Sequence, residues 1–75
     1  DYYPNPCRDF LTIEFKHEMS EISTVEIYNI LGELFYNEQF TDRTLIDATL
    51  FTKGLYIVRV SNSSGKYSEK IIFED

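Results

Sequence analysis

The chain has 75 residues, with thirteen acidic against seven basic side chains and a net charge of −6, a balance that weighs against a phosphate-tracking nucleic-acid surface and a polybasic membrane anchor. At this length one domain covering residues 1–75 is expected, burying only about 60% of the surface that its unfolded chain exposes, so marginal stability is the default. No apolar run approaches the roughly 18 residues of a membrane-spanning helix and no charged-then-apolar leader begins the chain; the start at Asp1 reads as a fragment or processed product, with any export signal at the head of a longer precursor.

Tyr3-Pro4-Asn5-Pro6 holds the only two prolines and reads as a fixed turn leading into the first strand. Each proline pins its own φ and pushes the preceding residue, Tyr3 or Asn5, toward extended backbone, while the Asn5 side chain can accept from a nearby amide. From Phe10 to Lys16 the pattern alternates, with Leu11, Ile13 and Phe15 on one face and Thr12, Glu14 and Lys16 on the other, which is the period of a half-buried strand. His17 to Ser23 reads as a loop that tucks Met19 and Ile22 under the sheet.

Alternation resumes from Thr24 to Ile30, with Val25 and Ile27 inward, and Glu33 to Phe40 is again strand-compatible. Gly32 between them is placed to supply the positive φ of a hairpin turn. A helix over Ile27 to Phe40 also fits the spacing of Ile27, Ile30, Leu31 and Leu34, but Tyr28, Phe35, Tyr36 and Phe40 favour strands and the glycine interrupts the segment. Thr44 to Ala48 is a short strand, and Thr49 to Lys53 a tight turn that plugs the core with Leu50 or Phe51.

Gly54 opens the clearest strand, Leu55 to Ser61, in which Tyr56, Val58 and Val60 share one face; apolar residues on both faces predict a central position. Asn62-Ser63-Ser64-Gly65 is a turn with its glycine placed for a left-handed residue and a bulge, joining a hairpin to a last strand from Lys66 to Phe73 close to the C-terminus. Six to seven short strands with turns about every ten residues predict an all-β fold, a small antiparallel β-sandwich. The six Phe and six Tyr make its core affordable, since each ring buries roughly 150 to 250 Å².

Catalytic chemistry has little to stand on. Cys7 and His17 are the only members of their classes, and the strand between them would put them at opposite ends of a sheet. With one cysteine no internal disulfide forms, and Cys7 reads as a small packing residue. The carboxylates are spread singly, without the clustered spacing of a calcium loop, so neither a metal nor another cofactor is expected. Tyr2, Tyr3, Tyr28, Tyr36 and Tyr67 could together form a sugar-stacking platform, although packing accounts for tyrosines in so small a domain and no tryptophan is present.

Four segments occur in a fixed order: Tyr3-Pro4-Asn5-Pro6 followed by Leu11-Thr12-Ile13; Val25-Glu26-Ile27-Tyr28-Asn29-Ile30-Leu31-Gly32; Gly54-Leu55-Tyr56-Ile57-Val58-Arg59-Val60; and Lys70-Ile71-Ile72. In this set the chain resembles the type A C-terminal sorting domain of the type IX (Por) secretion system of Bacteroidetes-type bacteria, over essentially its whole length. The resemblance implies an immunoglobulin-like sandwich that carries an N-terminal cargo domain from the periplasm through the outer-membrane translocon to the cell surface, with shuttle and sortase components as partners and removal by the sortase as a common outcome.

The resemblance assigns the recognised signal to Tyr3, Pro4, Asn5, Pro6, Gly54, Tyr56, Lys70, Ile71, Ile72 and Phe73. Asn29 stands where many members carry Asp, which keeps the turn but removes a charge. Physically, a last strand can be gripped by strand addition to its edge, and a homodimer of the isolated domain is compatible with the same exposed edge. The alternative from a different class is a carbohydrate-binding or adhesive sandwich that remains attached to a secreted enzyme.

Overall fold

Period-two alternation becomes two packed sheets in the computed structural model, which describes residues 2–3, 8–15 and 21–74, the first two through their backbone alone. The expectations for Pro4, Asn5, Pro6, Cys7, His17 and Met19 lie outside the described residues. Seven strands are described: β1 (Tyr2–Tyr3), β2 (Phe10–Glu14), β3 (Ser23–Asn29), β4 (Leu34–Phe40), β5 (Arg43–Asp47), β6 (Gly54–Asn62) and β7 (Gly65–Phe73), with a single 3-10 turn at Ala48–Leu50.

All pairings are antiparallel, in a three-stranded sheet of order β1-β2-β5 and a four-stranded sheet of order β4-β3-β6-β7. Lettered in chain order, this is A-B-E facing C′-C-F-G, an immunoglobulin-like sandwich with its fourth strand in the sheet of the third. The inward positions of both sheets meet in one core: Leu11, Ile13 and Ile46 from one side, and Val25, Ile27, Tyr56, Val58, Val60, Ile71 and Phe73 from the other. β6 is interior to its sheet, paired with β3 and β7, as its two apolar faces predicted.

Several local expectations are corrected. Tyr2–Tyr3 pairs with Ile13 and Thr12, so the first strand precedes the proline segment instead of following it. Ile22 is not tucked under the sheet but 60% exposed, because Ser23 takes the inward position at the start of β3 and alternation turns its neighbour outward. Buried Ser23 is satisfied by the Asn62 side-chain amide at 3.1 Å. Thr12 points away from the core yet is buried, as the centre of the middle strand of its sheet. The strand expected to end at Ala48 ends at Asp47, whose Oδ1 accepts from the Thr49 amide at 2.9 Å and so starts the 3-10 turn. Of the two proposed plugs, Phe51 packs on the core while Leu50 stays exposed. The β6–β7 hairpin runs in continuous register from Asn62 opposite Gly65, without the expected bulge.

Candidate recognition surface

The residues singled out for recognition separate onto two sides of the four-stranded sheet. Gly54 and Tyr56 lie directly opposite Phe73 and Ile71 in the β6–β7 ladder, so these four come together, on the core side. Phe51 stacks on Phe73 at 4.6 Å between ring centroids and meets the Tyr56 ring edge-on at 5.4 Å, while Tyr56 and Phe73 are themselves 5.2 Å apart. The Tyr56 hydroxyl donates to the Thr52 carbonyl at 2.9 Å and lies 3.0 Å from the Thr52 hydroxyl. A buried tyrosine thus fixes the turn that feeds its own strand. Gly54 opens that strand at φ 149°, and a Cβ there would meet no atom within 4 Å, so the backbone and not space asks for glycine.

Lys70 and Ile72 point the other way. They lie opposite Ile57 and Leu55 on the outer face, where both are exposed. Tyr3 belongs to the other sheet, paired through its backbone with Thr12. One contact spans the distance in sequence: the Arg8 Nε donates to Glu74 Oε1 at 3.2 Å, joining the segment before β2 to the residue after β7. Arg8, Asp9, Thr49, Phe51 and Glu74 line the recess beneath it. Exposed as it is, this ion pair contributes at most about 1 kcal/mol.

The β3–β4 hairpin turns at Gly32 as expected, and it also holds a side-chain network and an exposed tip that the sequence did not single out. Gly32 donates to the Asn29 carbonyl at 3.0 Å and the Asn29 amide to the Glu33 carbonyl at 3.0 Å, and Gly32 has φ 86°. That is a turn closed by a left-handed glycine. Asn29 Oδ1 accepts from the Leu31 and Glu33 amides at 3.0 and 2.9 Å, and its Nδ2 donates to Glu33 Oε1 at 2.8 Å. An aspartate could accept both amide bonds but could not donate to Glu33, so the asparagine substitutes a hydrogen bond for a repulsion. The same network leaves Ile30 and Leu31, 69% and 80% exposed, at the tip. Two aliphatics directly before a turn glycine, where the strand pattern has already ended, were the available signal.

Electrostatics also divide the molecule. Alternation places Arg59, Lys66 and Lys70 on the outer face of the four-stranded sheet, with Glu26 opposite Arg59. The Arg59 guanidinium lies 5.6 Å from the Tyr28 ring centroid. Desolvation first, then a hydrogen bond to Glu26 and its charge, push the Tyr28 hydroxyl above its ordinary range, with Arg59 opposing. Tyr36 and Tyr67 belong to the inward side, opposite Ile27 and Val60, so the described tyrosines share no platform with Tyr28. Among the described residues no three His, Cys, Asp or Glu side chains gather as a metal site.

An endo-acting ulvan lyase from Formosa agariphila is 30% identical in an alignment of 73 residues that covers 93% of this chain and 14% of that protein. The chain therefore spans a small part of the relative it matches. Residues 1–74 match the family described as the secretion system C-terminal sorting domain, and the chain belongs to that family: it is a non-catalytic type IX sorting domain of type A.

Proposed function

We propose that this domain exports an attached cargo protein through the type IX outer-membrane translocon to the cell surface, where a sortase removes it, and that the surface-facing part of β7 contributes to its recognition. The carrying observation is the family match over residues 1–74. The 14% share of the ulvan lyase supports an appended role, the cargo being the larger part of such a protein. Gly54, Tyr56, Ile71 and Phe73 then serve by shaping the end of the sheet, while Lys70 and Ile72 lie exposed on its outer face. Tyr3 pairs through its backbone with Thr12, and the Tyr3-Pro4-Asn5-Pro6 segment stays part of the proposed signal.

β7 has β6 on one side and stands at the end of its sheet, which supports strand addition by a shuttle or translocon component. Deleting Lys70 to Asp75 would not test this alone. The deletion removes buried Ile71 and Phe73, at about 2 to 5 kcal/mol each, against a total stability of roughly 4 to 11 kcal/mol for a chain of this size. The decisive experiment attaches these 75 residues to a periplasmic reporter in a host with the type IX system. Protease-accessible reporter on the cell surface is the expected result; full retention in the periplasm overturns the reading.

A further inference from the structure

The outer face of the four-stranded sheet carries more exposed apolar surface than its position requires. Leu55 lies opposite Ile72, and Ile57 has Tyr28 and Lys70 on its two sides, so aliphatics of β6 and β7 continue into the Tyr28 ring of β3. Leu55, Ile57 and Ile72 are all exposed. The strip runs toward the β3–β4 hairpin, where Tyr28, Asn29, Ile30, Gly32, Ile57 and Arg59 enclose a groove of about 390 Å³. A contiguous apolar surface of this kind marks a contact, whereas scattered exposed aliphatics would not.

Its charge differs in sign from that of the whole chain. Three of the seven basic residues stand on this face with Glu26, and the Glu33 carboxylate sits at the tip, which leaves the face slightly positive in a molecule of net charge −6. The tip is also held in shape before any partner arrives, since the Asn29 side chain makes three hydrogen bonds within the turn. The backbone beneath Ile30 and Leu31 is therefore ordered on folding, so only their side-chain rotamers remain to be fixed on contact.

We propose that this face, led by Ile30 and Leu31 and flanked by Arg59, docks on a protein component of the export machinery that offers an apolar recess bordered by carboxylates; the proposal rests on the sorting function above. The shape and the charge together select this occupant. A flat bilayer cannot fill a groove beside a projecting tip. A recess meets only the positive face.

The test uses the reporter fusion of the full chain in the type IX host, as wild type, as the double variant Ile30→Ser with Leu31→Ser, as Leu31→Ser alone and as Arg59→Glu. Thermal unfolding of each is measured beside export, and Leu31→Ser, at the most exposed position, keeps the test valid if another variant does not fold. Surface reporter is expected to fall about thirtyfold in the folded double variant and to fall in Arg59→Glu as well, as for loss of a central anchor. Folded variants exported like wild type overturn the docking face and leave the sorting function standing. A wild-type fusion retained in the periplasm overturns both. Two outcomes reassign the face and overturn the proposed occupant: binding of wild type, but not Arg59→Glu, to phosphatidylglycerol vesicles makes it a membrane contact, and a wild-type dimer in sedimentation that Leu31→Ser dissolves makes it a self-interface.

Discussion

Tyr36 shows how one side chain joins the two sheets and what that does to its chemistry. It points inward from β4 opposite Ile27, and its ring meets Phe51 at 6.0 Å. Glu38, on the same face, accepts a hydrogen bond from the Thr44 hydroxyl of β5. Desolvation first, then a hydrogen bond to Glu38 and the charge of that carboxylate, push the Tyr36 hydroxyl from 10.0 to about 12. The folded state therefore holds its proton where the unfolded chain has lost it. This contribution is fully present below pH 10.0 and is lost as pH rises through about 12. Denaturant titrations across that window are expected to show wild type losing stability more steeply than Tyr36→Phe. Parallel curves would mean that the hydroxyl titrates alike in both states.

The β3–β4 hairpin carries the clearest relation between an element's sequence and its geometry. Asn29 and Gly32 close the turn, and one strand position later the register shifts between Ile27 and Tyr28, whose partners are Tyr36 and Leu34. Phe35 is thus an extra residue, and its ring reaches the Tyr56 ring at 6.1 Å. Gly32→Ala is expected to cost about 1 kcal/mol in denaturant unfolding, entirely through backbone strain at φ 86°, since a Cβ there would meet nothing within 4 Å. A cost above about 3 kcal/mol would instead point to a clash or a lost register. The turn glycine, the inward Val25 and Ile27, and the central place of β6 were all legible, because each arises from local chemistry or alternation. The bulge at Phe35 was not, because only the partner strand reveals an extra residue, and the outward turn of Ile22 was not, because a polar residue, Ser23, takes the inward position at the start of β3. Lys70-Ile71-Ile72-Phe73 was legible as a motif, and the structure divides it by alternation into exposed Lys70 and Ile72 and buried Ile71 and Phe73.

At the scale of the whole molecule, open edges and an exposed apolar face are held apart by charge. β4 and β7 end the four-stranded sheet, and β5 ends the other with its Leu45 exposed. Such edges pair with further strands unless something opposes approach. Here the net charge of −6 supplies a repulsion that protonation of the carboxylates removes toward the isoelectric point near 4.6. The homodimer proposed for the isolated domain should accordingly depend on pH. In sedimentation velocity a monomer is expected at alkaline pH, with association increasing as pH falls toward 4.6 and decreasing again below it, while far-UV circular dichroism confirms that the strands persist. Association that is independent of pH would show that apolar contact alone governs assembly, whereas association strongest at alkaline pH would exclude charge as the restraint. The expected order bears on the proposed docking, since charge repulsion between copies would leave the β7 edge and the Ile30–Leu31 tip open while the local positive face still admits an acidic-rimmed recess.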